Sequence, residues 1–422
     1  MNVRMMSCAL LVALGGSAAS AQVSWGLLNV VQNDTGNTAA SVAGSGLTVS
    51  GGPITYVGGT RGDFAFGFGN ADPATDVQQG IMMVTMAQNG RSNQGSTPTA
   101  IGAGLGFATP AIQLNPNIGT GTHAGYGSSI NNSGTAIAGA SSGGEWNANQ
   151  AVAYFRYDQF IGGWATNGTH VDGSGTNNGP LTGFASSSAG LTISSGASDP
   201  GTFNLFDSTA TAGLYRLRTQ SLSASLGNGA SVNATSQNGI LLVTGGKNED
   251  NYSLSQANAD GSFTIVTRDN GANNPSTPGG ENDPVGFVYV PAGHNLVPVG
   301  GRVDNEGDAL VSWGHYTLTD LGVGEWLLQT PGFDVFNSVL MLSGEGADVT
   351  GSNRGDNVWS YAWDATLVGW RIQSRDISGD TAAPTLQDLQ ANEVAFSFAI
   401  IPTPGAACVL ALGGLGALRR RR

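Results

Sequence analysis

The feature that most constrains this sequence is a stretch that recurs. Residues 358–376, VWSYAWDATLVGWRIQSRD, read as two strands joined by a tight turn. Trp359, Tyr361 and Trp363 alternate with Val358, Ser360 and Ala362, the period of a half-buried strand. Asp364-Ala365-Thr366 supplies a polar turn, and the strand over 367–375 sets Trp370 and Ile372 against Arg371, Gln373 and Arg375. An aromatic face of this kind needs an apolar layer to pack on, each buried ring contributing about 1.5–3 kcal/mol.

The pattern returns upstream. Tyr252 stands for Trp359, Phe263 for Trp370 and Ile265 for Ile372, and Arg268-Asp269 stands for Arg375-Asp376. Further back, Phe155 and Tyr157 match Tyr361 and Trp363, and Asp158, Gly163 and Trp164 keep the spacing of Asp364, Gly369 and Trp370. A second block recurs in the same order as GIMMVT at 80–85, GILLVT at 239–244 and SVLMLS at 338–343. Ordered blocks that repeat together predict three tandem units, over 22–189, 190–296 and 297–402. The first carries a Gly/Ser-rich insertion near 90–145, which reads as a long loop. Units of this length have the size of a whole small β domain.

Within 297–402 the predicted strands fall near 297–303, 309–313, 315–319, 325–330, 338–343, 357–363, 367–375 and 394–401. Short strands with Gly and Asp turns predict an all-β chain of tandem antiparallel β-sandwich units, jelly-roll or Greek-key-like. A parallel β-helix is the alternative. Paired Trp/Tyr strands at unequal spacing argue against it.

Only 11% of residues are charged, and the formal net charge is −13. Arg4 and the four C-terminal arginines lie outside the acidic stretch, so the part between is more acidic still. Such a surface repels polyanions, which excludes nucleic acid as a partner. Cys8 and Cys408 also lie near the ends, leaving the folded part without disulfides or thiolate metal sites.

Residues 1–21 have the parts of a secretory signal peptide. Arg4 leads, 8–14 form an apolar helix, and Ala19-Ser20-Ala21 is a small-residue cleavage site before Gln22. At the other end Pro402-Thr403-Pro404 breaks the last strand, 405–418 is an uncharged apolar run, and Arg419, Arg420, Arg421 and Arg422 follow. As a helix the run covers about 21 Å, short of a hydrocarbon core of roughly 30 Å. The arginines suit retention on the cytoplasmic side. Proline, short apolar helix and arginines together resemble the PEP-CTERM sorting signal of exported bacterial proteins, with Thr403 in place of the motif's Glu. The resemblance covers 402–422. It implies handling by the export machinery and by an exosortase-like membrane enzyme acting on the tail.

The remaining site signals are sparse. Gly139-Ala140-Ser141-Ser142-Gly143 matches a nucleophile elbow, but no strand or helix flanks it, and chance explains it in so Gly- and Ser-rich a chain. His123, His170, His294 and His315 lack any metal-ligand spacing. Asp304, Glu306 and Asp308 in one turn, with Glu249 and Asp250 in another, are the calcium candidates; that ion takes about six to eight oxygens. Turn chemistry accounts for the same residues. Arg268-Asp269 and Arg375-Asp376 form either a ligand notch or strand-end pairs. Trp146, Trp313 and Trp326 suit sugar stacking or a core.

These readings lead to an exported cell-surface β-repeat protein of structural or adhesive role, without catalytic residues or an organic cofactor. Its partners would be the membrane, through the tail, and extracellular polysaccharide. The alternative is a carbohydrate-binding protein or a polysaccharide hydrolase, the latter needing two carboxylates about 5–10 Å apart.

Overall fold

The computed structural model describes residues 23–28, 54–58, 63–68, 80–87, 109–114, 126–131, 149–166, 183–188, 190–193, 204–207, 214–245, 251–269, 285–304, 306–335, 337–346, 357–376, 385–386 and 395–402. The leader 1–21 and the tail 403–422 lie outside them. The described part is all-β. In 297–402 the observed strands are Val299–Asp304, Ala309–Trp313, Thr317–Gly322, Glu325–Gln329, Ser338–Glu345, Asn357–Asp364, Gly369–Asp376, Thr385–Leu386 and Ala395–Pro402.

Three of the sheets each combine strands from two of the three sequence segments. Sheet I has eight strands. Its path runs Ser24–Leu28, Asn149–Arg156, Gly80–Ala87, Asn357–Asp364, Gly369–Asp376, Glu325–Gln329 and Thr317–Gly322, with Thr385–Leu386 beside Gly369–Asp376. Sheet II has nine: Thr192–Ile193, Asn204–Asp207, Leu214–Leu217, Phe263–Asp269, Asn251–Ala257, Ser338–Glu345, Ala395–Pro402, Val299–Asp304 and Ala309–Trp313. Sheet III orders Gly239–Gly245, Val285–Pro291, Ile161–Thr166 and Gly183–Ser187. First and third segments thus share sheet I, second and third share sheet II, and first and second share sheet III. Two of the joints are short parallel bridges at strand ends, Ser255 beside Glu345 and Ser360 and Tyr361 beside Met86 and Ala87.

The recurrent hairpin forms twice. Asn251–Ala257 pairs antiparallel with Phe263–Asp269, and Asn357–Asp364 with Gly369–Asp376. The third copy is split. Asn149–Arg156 pairs with Ser24–Leu28 and Gly80–Ala87 in sheet I, while Ile161–Thr166 crosses to sheet III. Glycine makes the crossing fit: a Cβ on Gly162 would lie 2.7 Å from the Phe287 carbonyl oxygen. The insertion read as loop also contributes strands. Thr109–Leu114 and Tyr126–Asn131 pair with each other, and the latter with Asp63–Phe68, in a four-stranded sheet with Ile54–Gly58. Alternation in TPAIQL is too short to stand out among Gly, Ser and Thr.

Sheet III is buried on both faces. Ile240, Leu242, Val288, Val290 and Trp164 enter one core with Trp326, Tyr361, Trp370, Leu340 and Phe398 of sheets I and II. Leu241, Val243, Phe287, Tyr289 and Ile161 enter the other with Tyr215, Leu217, Phe263 and Ile265 of sheet II. Two-sided burial explains why GILLVTG and VGFVYVP are continuous apolar runs without alternation. Between sheets I and II, Trp359 stacks with Trp326 and Phe396 at centroid distances of 5.5 and 4.8 Å.

The three sheets meet at the second recurrent block. Thr85 Oγ1 accepts the Leu342 N–H at 2.9 Å and donates to the Leu342 carbonyl at 3.3 Å. Ser343 Oγ accepts the Val243 N–H at 3.2 Å. Leu342 precedes Ser343, and Val243 precedes Thr244. Each bond therefore runs from the hydroxyl of one copy to the residue before the equivalent hydroxyl in another. Thr244 would close the cycle on Val84, but its Oγ1 is buried with no hydrogen-bond partner among the described residues. Val84 instead lies opposite Val152 in the sheet I ladder.

This asymmetry predicts opposite outcomes for one chemical change. Thr85→Val orphans a buried N–H and a carbonyl and is expected to cost about 1–3 kcal/mol. Thr244→Val removes an unpaired buried hydroxyl and is expected to be neutral or stabilising. Urea unfolding of the two variants checks both.

Candidate functional site

Two carboxylates are buried in the described part, each held by an arginine of its own sheet. In sheet I, Glu325 lies opposite Gln373 in register. Its Oε2 accepts from Arg371 Nη2 at 2.6 Å, and Oε1 accepts from the Gln373 amide. Trp326 and Leu328 point to the core from this strand, so Glu325 occupies the opposite face. In sheet II, Glu345 sits 3.7 Å from Arg302 Nε and accepts from Ser397 Oγ at 3.2 Å. Arg302 Nη1 donates to the Ser236 carbonyl at 3.0 Å. Burial raises the Glu345 pKa, opposed by Arg302, Ser397 and the Ala257 backbone. Removing either partner of such a pair would strand a buried charge, so these groups tie together strands inside their sheets. A carboxylate set among apolar residues, Glu325 in EWLLQ and Glu345 in SVLMLSGE, was the sequence signal for them.

The calcium candidates divide. Asp304 Oδ1 accepts the N–H groups of Glu306 at 3.2 Å and Asp308 at 2.8 Å, and Gly307 takes a φ of 87°. The Asp304 carboxylate is thus occupied in shaping its own turn. Among the described residues, no three His, Cys, Asp or Glu side chains gather to hold a metal ion. Glu249, Asp250 and the acids at 281–283 lie outside the described residues, as do 139–143, Trp146, His123 and His170.

Trp326 is a core residue, 3% exposed. Trp313 is half-buried, its Nε1 donating to the Val297 carbonyl at 2.7 Å, with its ring over Gly300 where a Cβ would collide. His315 is exposed. The two Arg-Asp pairs hold related places at the hairpin ends: Asp269 faces Asn251 and Asp376 faces Asn357. Of the processing residues, Ala19, Ala21, Pro404, Arg419, Arg420, Arg421 and Arg422 lie outside the described residues. Pro402 ends the last strand, opposite Ser338.

One surface feature escaped the sequence reading. The strand after the 364–366 turn begins at Gly369, so Leu367 and Val368 belong to the hairpin tip. They are 41% and 63% exposed. Val368 has a φ of 52°, the left-handed region that a β-branched residue rarely adopts. Asp364 Oδ1 accepts the N–H groups of Thr366 and Leu367, each at 2.9 Å, and Gln329 Nε2 donates to the Leu367 carbonyl at 2.8 Å. The tip is a built loop with an apolar end.

His294 is the one buried histidine among the described residues, 1% exposed. It stacks on Phe160 at 4.3 Å, beside the crossing between sheets I and III. Its Nδ1 accepts the Leu296 N–H at 3.2 Å, which places the proton on Nε2. Burial lowers its pKa to about 4, with a smaller opposing pull from the Gln159 backbone.

No family model, curated protein or solved structure matches the chain.

Because the folded pKa of His294 lies below the ordinary 6.5, the unfolded chain takes up a proton first as pH falls. Stability from this residue is complete above pH 6.5 and is lost toward pH 4, by at most about 3 kcal/mol. Glu345, with a raised pKa, contributes the opposite slope. Urea unfolding across this range is expected to show a shallower acid loss for His294→Gln than for the wild type.

Proposed function

We propose that the chain is an exported bacterial surface protein without catalytic activity, built from three copies of one sandwich-type β unit and tethered by its tail. The observation that carries this reading is the composition of the two ends. A tripartite leader precedes Gln22, and an uncharged apolar run bounded by Pro404 and Arg419 follows the last strand. The acidic, cysteine-free stretch between them fits an extracellular surface. The recurrent Thr85, Thr244 and Ser343 at the meeting of the three sheets support the three-copy reading. Glu325 and Glu345 are each committed to an arginine, which supports a structural role for both.

Fractionation of the native host, with mass spectrometry of the mature termini, tests the reading. The expected product begins at Gln22 and is found in the envelope or the medium. A cytosolic product that retains Met1 overturns it.

A further inference from the structure

The two intact copies of the recurrent hairpin end differently. In the second segment the connecting residues are Asn258, Ala259, Asp260, Gly261 and Ser262. Gly261 takes the left-handed position, with a φ of 88°. That tip is polar and tied down: Arg216 pairs with Asp260, and Asn258 Nδ2 donates to Ser262 Oγ at 3.0 Å. In the third segment the left-handed position falls on Val368, and the tip shows Leu367 and Val368 to solvent. Glycine serves the turn in one copy, so the fold does not require a valine in the other. The strain is retained together with an exposed aliphatic pair, and three hydrogen bonds fix the loop that presents it.

The tip is connected, through neighbouring residues, to the segment that pairs with the end of Ala395–Pro402. Gln329 holds the Leu367 carbonyl, and Thr330, the next residue, accepts from Trp370 Nε1 at 3.0 Å. The turn from Thr330 leads to Ser338, whose hydroxyl donates to the Asp334 carbonyl and whose backbone faces Pro402. Only Thr403 and Pro404 separate Pro402 from the apolar run. Even fully extended, that connection reaches about 11 Å.

We propose that Leu367 and Val368 seat in the outer face of the lipid bilayer to which the tail is anchored, so that the third hairpin is a second membrane contact. This rests on the reading of 403–422 as a membrane segment. The depth suits the chemistry. A pair of exposed aliphatic side chains fits the headgroup–acyl boundary, where surface-bound elements insert their apolar faces. Alone it would bind marginally. Beside an anchor the contact is intramolecular, and its effective concentration is high. The acidic body keeps the rest of the surface off anionic headgroups.

The opposite end of sheet I supplies a control. Val323 is 60% exposed between Gly322 and Gly324, both of positive φ. Glu325 faces Gln373 while Leu328 faces Trp370, so this turn lies at the far end of the sheet from Val368.

The test uses the mature chain, Gln22 to Arg422, in phosphatidylcholine vesicles, with Cys408 changed to Ser and a polarity-sensitive fluorophore on Val368→Cys or Val323→Cys. The expected result is flotation of both proteins, with a blue shift and quenching by shallow spin-labelled lipid at 368 and neither at 323. Leu367→Ser in the 368-labelled chain is expected to reduce both signals. Flotation with a silent label at 368, or equal signals at 368 and 323, overturns the tip contact and leaves the tail reading standing. Failure of the chain to float removes both. Val368→Gly separates the contact from folding: its melting midpoint is expected to hold or rise, and a marked fall would mean that the valine serves the fold and would overturn the proposal.

Discussion

Two hydroxyl bonds at the meeting of three sheets fix how this molecule is assembled. Thr85 closes on the backbone of Leu342, and Ser343 on that of Val243. These groups lie in the interior, where an unmatched N–H or carbonyl is costly. A slip of one residue along any central strand would turn its apolar side chains to the wrong core and break the bond as well. Register, sheet pairing and core composition are therefore set together. The cycle stays open at Thr244, and Gly80–Ala87, the strand it would reach, pairs along its whole length with Asn149–Arg156. That partner is the half of the recurrent hairpin that stays in sheet I when its other half crosses to sheet III.

Glycine does much of the work of close approach between these layers. Gly344 lies under the Trp359 indole, and Gly286 under Trp164, where a Cβ would meet the ring at 2.9 Å. These two rings of the recurrent pattern thus have bare backbone to lie on. Among the described residues glycine serves close packing as well as turns. That packing also explains how strands from different segments come near enough to share a core.

The strands of the third segment were legible because their aromatics alternate and their turns carry Asp and Gly. Observed and expected limits there agree to within about three residues; Thr385–Leu386 was not expected, and the two-residue shift at Leu367 and Val368 is the consequential one. An Asp that caps its own turn lengthens the loop, and nothing in the local alternation of TLVGW reveals that. Partner strands were not legible. A period of two says which side chains share a face but not which strand lies alongside, so interleaving across segments had no local signature. The runs at 239–245 and 285–291 lack alternation because both their faces are buried, a signal the three-unit reading passed over. The buried pairs Glu325–Arg371 and Glu345–Arg302 were visible only as isolated charges in apolar strands, since their partners stand far away in the chain.

The place of Ala395–Pro402 has a bearing on biosynthesis. This strand lies between Ser338–Glu345 and Val299–Asp304 in the interior of sheet II, hydrogen-bonded on both edges. The ribosome delivers it late, and until then the nine-stranded layer has a gap through its middle. Pairings so distant along the chain form slowly in any case. Until residues 395–402 take their place, Ser338–Glu345 and Val299–Asp304 each keep an unpaired edge facing the other across that gap, and sheet II cannot close as one layer.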